Sequence, residues 1–293
     1  MAVVGVAEGD PLWPVLRNGA LRAQRDFGSV TIETFAPSVP SAEAQSELLR
    51  SLRNRDFLAV CVQVAEPEPL RPALEDLRSA GVFVVTMMRP VPSLESFHHC
   101  GPDEARIGRA LADALVESID RAGTIAVLAG DGPDGEAEAR MRVFRDRIRE
   151  HAGVHVLREL PDEGTPAQAW AATQGFGSRY PRLTALALVS DRLFEDPSLW
   201  SAPLAPDSCK VFGVGPLPAR WPLLANRWCH ALVGAEYGEI GYKAIQWCIV
   251  VARKGELPPQ AYAVPVRVVW CSGLDAWKAQ WARWTEPIAT EAP

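Results

Sequence analysis

Up to Pro90, short continuous apolar runs alternate with longer stretches in which apolar positions recur every three or four residues. The runs at residues 3–7, 30–35, 57–62 and 82–87 predict buried strands, since a parallel strand covered on both faces reads as unbroken apolar sequence. The stretches at 14–27, 41–54 and 69–80 predict helices; Ser41 supplies an N-cap, and Ala44, Leu48, Leu49 and Leu52 form one apolar face. Strand and helix in strict alternation imply parallel pairing through right-handed crossovers, which is a doubly wound unit.

The stretch 91–101 is irregular, and the alternation then resumes. A helix is expected at 104–121, a strand from Thr124, a helix at 136–151, and strands at 154–158, 184–189 and 210–214. Helices at 167–179 and 191–199 fall between them, so the same unit is built twice. A strand at 231–234, a strongly helical segment at 237–254 and a strand at 264–270 follow, then a short helix carrying Trp277, Trp281 and Trp284. That tryptophan spacing marks one helical face, read as packing onto its own domain or as a surface for a partner.

Length and composition agree with two lobes. The 293 residues exceed a usual single core, and an apolar share of 48% with 23% charged residues describes a folded chain. The net charge of -6 and the absence of a basic cluster with interleaved aromatics exclude a nucleic-acid partner. No apolar run approaches the roughly 18 residues of a membrane span, so membrane insertion is not expected. Met1 leads into a short apolar run without a basic n-region. The compartment is therefore periplasmic if a signal peptide has been removed, or cytoplasmic if Met1 is the genuine start. Six cysteines stand apart without zinc-ribbon spacing and read as small core residues, so no metal and no cofactor is expected.

The residues with most chemical content are Arg89 and Arg140. Each follows an apolar run, at the carboxyl end of a strand where open α/β sheets bind ligands. Two guanidinium groups favour an anion, with Glu136 and Glu138 as acids that would instead pair with them. Asp10 before Pro11 suits a helix cap or a ligand hydroxyl, and Trp13 suits ring stacking or lobe packing. His98, His99 and Cys100 read as a linker, because adjacent residues on extended backbone point to opposite faces and chelate poorly. Nucleophile-elbow, Walker and zinc-protease motifs are all missing, so catalysis is not expected.

The order of motifs resembles the type I periplasmic binding proteins, in the sugar-binding branch that holds ribose-binding proteins and the effector domains of lactose-repressor-type regulators. Asp10-Pro11-Leu12-Trp13 is similar to the family's Asn-Pro-Phe-Phe segment, and Gly81-Val82-Phe83-Val84-Val85-Thr86 to its Gly-Ile-Pro-Val-Val strand. Asp103 with Gly108 is similar to its Asp-Asn-x-x-x-Gly helix start, and Arg140 with Phe144 to its Arg-x-x-Gly-Phe signature. The resemblance implies an α/β fold of two Rossmann-like lobes with parallel sheets, joined by a hinge of three crossovers. The lobes would be residues 1–102 plus 236–262, and 103–235 plus 263–293 with the Trp-rich tail. It also implies a solute-binding protein of an ABC-type sugar transport system, whose lobes close about a small sugar or anionic sugar derivative. Asp10, Trp13, Arg89, Arg140 and Ser190 would contact that ligand, and a membrane transport complex would be the partner. The family's sugar-forking Asn, Asp and Gln align with Ser190, Gly215 and Ala235, and its aromatic after the fifth strand is replaced near Gly164, so a ribose site is not repeated. Two alternatives share the scaffold: a cytosolic ligand sensor, and a degenerate member engaged in protein contact.

Overall fold

The computed structural model describes residues 1–28, 30–92, 97–129, 136–161, 165–174, 179–200 and 208–288. The chain divides into two compact units, one of Met1–Pro102, Glu236–Pro265 and Ala279–Pro293, the other of Asp103–Ala235 and Val266–Lys278.

The first unit carries the strands β1 (Ala2–Val4), β2 (Glu33–Phe35), β3 (Ala59–Gln63), β4 (Phe83–Met87) and β5 (His98–Gly101). Its helices are α1 (Trp13–Phe27), α2 (Ala42–Leu52) and α3 (Pro67–Ser79). A sixth strand, Ala261–Ala263, completes a wholly parallel sheet and lies beside β5, with the others following as β4, β3, β1 and β2. The α2 cap is the expected one: the Ser41 Oγ accepts from the Ala44 N–H at 3.0 Å. Leu49 and Leu52 of α2 and Leu70, Leu74 and Leu77 of α3 cover one face of β1 and β3.

The stretch around 98–101 is a strand and not a linker. Its composition hides it: His98 and His99 break the apolar run, yet His98 Nδ1 lies 3.0 Å from the Pro259 carbonyl and His99 Nδ1 3.0 Å from the Thr86 Oγ1. Flanked by β4 on one side and Ala261–Ala263 on the other, it satisfies its backbone in two ladders.

The second unit repeats the plan with α4 (Glu104–Ser118), β6 (Gly123–Ala129), α5 (Glu136–Arg149), β7 (Val154–Pro161), α6 (Pro166–Gln174), β8 (Ala185–Leu188), β9 (Lys210–Val214), α7 (Trp221–Ala225) and β10 (Ala231–Ala235). The expected helix at 191–199 is two 3-10 turns, Arg192–Phe194 and Pro197–Leu199, the second opening on Pro197. After β10 a 3-10 turn leads into α8 (Ile240–Lys254) of the first unit. The run expected at 264–270 begins later than predicted: after the strand β11 (Ala261–Ala263), β12 (Val266–Trp270) pairs antiparallel with β10 at the edge of the second sheet, order β12-β10-β9-β8-β6-β7. Ile125, Phe144 and Phe212 fill the core beneath it, together with Leu111 and Leu115.

The last helix, α9 (Leu274–Thr285), starts in the second unit and is grouped with the first from Ala279, whereas the sequence assigned the whole tail to the second lobe. The reason is local. Trp281 and Trp284 are buried, Trp281 meets Tyr237 with ring centroids 6.2 Å apart, and Asn18 of α1 donates to the carbonyls of Trp284 and Glu286. Trp277 is buried as well and donates to the Pro216 carbonyl at 2.8 Å, so all three tryptophans pack onto their own chain.

Candidate functional site

The carboxyl ends of the parallel strands in the first unit hold a connected polar network. Asp10 follows β1 and caps α1: its Oδ1 accepts from the N–H groups of Leu12 at 2.9 Å and Trp13 at 3.0 Å. The same oxygen accepts from Gln63 Nε2 at 3.0 Å, at the end of β3. Gln63 returns its Oε1 to the Val6 N–H at 3.3 Å, and Gln45 donates to the carbonyls of Gly5 and Gln63 while accepting from the Ala65 N–H. Every partner of the Asp10 carboxylate among the described residues uses Oδ1, so Oδ2 retains its acceptor capacity. Asp10 thus takes the capping role that the following Pro11 pointed to.

Gln45 and Gln63 were not anticipated. The signal was present for Gln45, which shares the helical stripe of Leu49 and Leu52 and is fully buried. A polar residue on a buried stripe must find partners, because leaving such groups unpaired costs about 1–3 kcal/mol each.

At the end of β4 the backbone is strained. Met88 has φ of 69°, and the Arg89 N–H donates back to the Met87 carbonyl at 2.9 Å, closing a three-residue turn in the left-handed region. Such a conformation costs a non-glycine residue about 1–3 kcal/mol and gathers at ligand clamps. It sets the direction of Arg89, which is partly buried and donates from Nη1 to the Ala65 carbonyl at 3.2 Å. Trp13 is 6% exposed, and its ring lies against the Gly5 backbone so closely that a Cβ there would meet it at 2.5 Å. The structure thus places Trp13 as a wedge between α1 and the end of β1.

The second unit holds its strand-end arginines differently. Arg140 is the fifth residue of α5 and is 7% exposed. Its Nε meets the Glu104 carboxylate at 2.6 Å and its Nη1 donates to the Val189 carbonyl at 2.8 Å. Among the described side chains the acid that pairs with it is Glu104 of α4; Glu138 of its own helix is exposed, and the Glu136 side chain lies outside the described residues. Ser190 is buried, and its Oγ accepts from the Arg192 N–H at 3.2 Å. A further arginine, missed from sequence, sits beside the end of β9. Arg220 donates to the Val214 carbonyl at 2.9 Å, lies 3.8 Å from Asp191 and stacks 4.8 Å over the Phe194 ring. The rule that selected Arg89 would have found it, since Gly215-Pro216-Leu217-Pro218 separates it from an apolar run. The turn at 130–135 and the region of Gly164 lie outside the described residues.

Five of the six cysteines are core residues, and Cys271 is half-buried. All six are free thiols and five are buried, with burial pushing the Cys209 and Cys229 thiols up to about 12. Among the described residues no cluster of His, Cys, Asp or Glu is arranged to hold a metal ion, and no helix is long and apolar enough to cross a membrane.

Known structures share this architecture over nearly the whole chain. A sugar ABC transporter sugar-binding protein from Bacillus halodurans superposes with a TM-score of 0.81 at 14% identity, over 94% of this chain and 98% of the other. An arabinose binding protein from Geobacillus stearothermophilus gives 0.81 at 16% identity, over 94% and 97%. A periplasmic solute binding protein from Actinobacillus succinogenes, with bound D-allose, gives 0.75 at 16% identity, over 94% and 98%. No curated protein sequence matches the chain. The sequence model of the periplasmic binding protein domain matches residues 1–256, and with two mostly parallel α/β sheets each ending in a built polar edge, the chain belongs to that family.

Proposed function

We propose that this protein is the solute-binding component of an ABC-type sugar transport system and that its ligand is a neutral sugar, with Asp10 and Arg89 as contacts. The observation that carries this reading is the strained turn at Met88, which fixes Arg89 at the same strand-end edge as the Asp10 carboxylate. A carboxylate and a guanidinium on one strand-end edge offer acceptors and donors together, the pair that sugar hydroxyls engage. The preference for an anion, drawn from two arginines alone, is weakened by Glu104, which offsets the Arg140 charge within the second unit. Arg140 then acts by positioning the strand ends around Val189 and Ser190. The structural neighbours are named for neutral sugars, which supports the same choice.

A thermal-shift series with neutral pentoses and hexoses, set beside sugar phosphates and sugar acids, tests it, because a ligand that binds only the folded chain raises Tm. At least one neutral sugar should raise Tm. Asp10→Asn and Arg89→Met should each abolish that shift while leaving the unliganded Tm within a few degrees. A sugar phosphate bound about tenfold more tightly than its neutral parent, equivalent to about 1.4 kcal/mol, would return the site to anion binding.

A further inference from the structure

A second polar hollow lies on the helical face of the first unit, and the strand-end site does not use it. Its cavity of about 310 Å³ lies among α1, α8 and β11. Arg22 stands nine residues along α1 from Trp13, roughly 13 Å of helix. Its Nη2 donates to the Gly238 carbonyl at 2.7 Å. A guanidinium has five N–H donors, so most of this one's capacity is left for an occupant.

Lys243 faces the same space. Its Nζ donates to the Gln246 Oε1 at 2.8 Å and lies 5.0 Å over the Tyr262 ring, which leaves two of its three donors. One acid, Glu239, lines the hollow, and its carboxylate accepts from the Tyr262 hydroxyl at 3.3 Å. Beyond the lining, Asp26 pairs with Arg25 at 3.1 Å and bonds to Tyr242. Two cations therefore stand against one acid, at the amino-terminal turn of α8, whose dipole adds the same sign. Burial also disfavours the Arg22 charge, a cost that a neighbouring anion would offset.

We infer that this hollow is an oxyanion site, taking a carboxylate or phosphate through Arg22 and Lys243. The group is carried either by a free small molecule or by an acidic side chain of a docking protein. The inference is independent of the sugar reading, because no residue is shared between the two sites.

Calorimetric titration of the full chain at low ionic strength tests it, with citrate and inorganic phosphate in one arm and a short acidic peptide in the other. Saturable binding is expected in at least one arm, weakened about fivefold or more by Lys243→Gln, by Arg22→Gln and by raising the salt to about 0.15 M. Glu239→Gln should tighten it. Binding of citrate or phosphate alone identifies a free anion as the source, and binding of the peptide alone identifies a protein. Failure of both arms overturns the site, as does binding that Lys243→Gln leaves unchanged. Among the described residues Lys243 donates a hydrogen bond to Gln246 alone, so its variant remains informative if Arg22→Gln disturbs the Gly238 contact.

Discussion

In the first unit α1 and α8 meet at Gly241, where a Cβ would overlap the Leu16 carbonyl; in the second, α4 and α5 meet at Gly108, where a Cβ would overlap the Arg140 carbonyl. Both units thus bring two helix backbones together through a glycine. Their strand-end edges then diverge. The first is tied by the neutral amides of Gln45 and Gln63 and leaves one Asp10 oxygen open, whereas the second is tied by Arg140 with Glu104 and by Arg220 beside Asp191. An ion pair consumes the charge that a sequence displays, while an amide network can hold a carboxylate in place and leave half of it available. Charge visible in the sequence is therefore a poor guide to charge available to a ligand.

The sharpest test of this contrast is Glu104→Gln. It removes the Glu104 charge from the buried Arg140 cation and should destabilise the protein by about 3–5 kcal/mol, with Glu104→Gln/Arg140→Met recovering much of the loss in urea unfolding. Equal losses in the single and double variants would show that the pair does not neutralise the second edge. Next in size are the glycine contacts: Gly241→Ala and Gly108→Ala should each cost about 1–3 kcal/mol, as forced overpacking does. If only one of them is costly, the two units do not share the device.

The smallest effect concerns acid. Burial lowers His99 in the first unit from 6.5 to about 4, and it lowers His230 in the second. An unfolded chain then binds a proton that the folded His99 refuses. Stability is accordingly full above about pH 6.5, falls as pH drops toward 4, and gains no further loss from this group below that. The fall should amount to about 1–2 kcal/mol, allowing for the part of the ring that water reaches. His99→Gln should flatten the curve more than His230→Gln, and the reverse order in pH-dependent unfolding would reassign the acid sensitivity to the second unit.

Much of this fold was legible because apolar runs and helical stripes are local. The strand Lys210–Val214 and the Ser41 cap stand where the sequence put them. The strand His98–Gly101 was not legible, since its stability comes from ladders to residues as distant as Ala261–Ala263 and not from its own composition. The same holds at the edges. Asp10 could be read as a cap from Pro11 alone, but its link to Gln63 spans the distance between two strand ends. Arg140 was found by its motif, yet its acid lies on another helix.

The sequence by itself determined two α/β units, their strand and helix order and the family they belong to, because period and punctuation are written residue by residue. Tertiary structure alone decided which polar groups neutralise one another, where the last helix packs and how Met88 turns the chain at Arg89. Those outcomes depend on distances between residues far apart in the chain, and a linear pattern does not carry them.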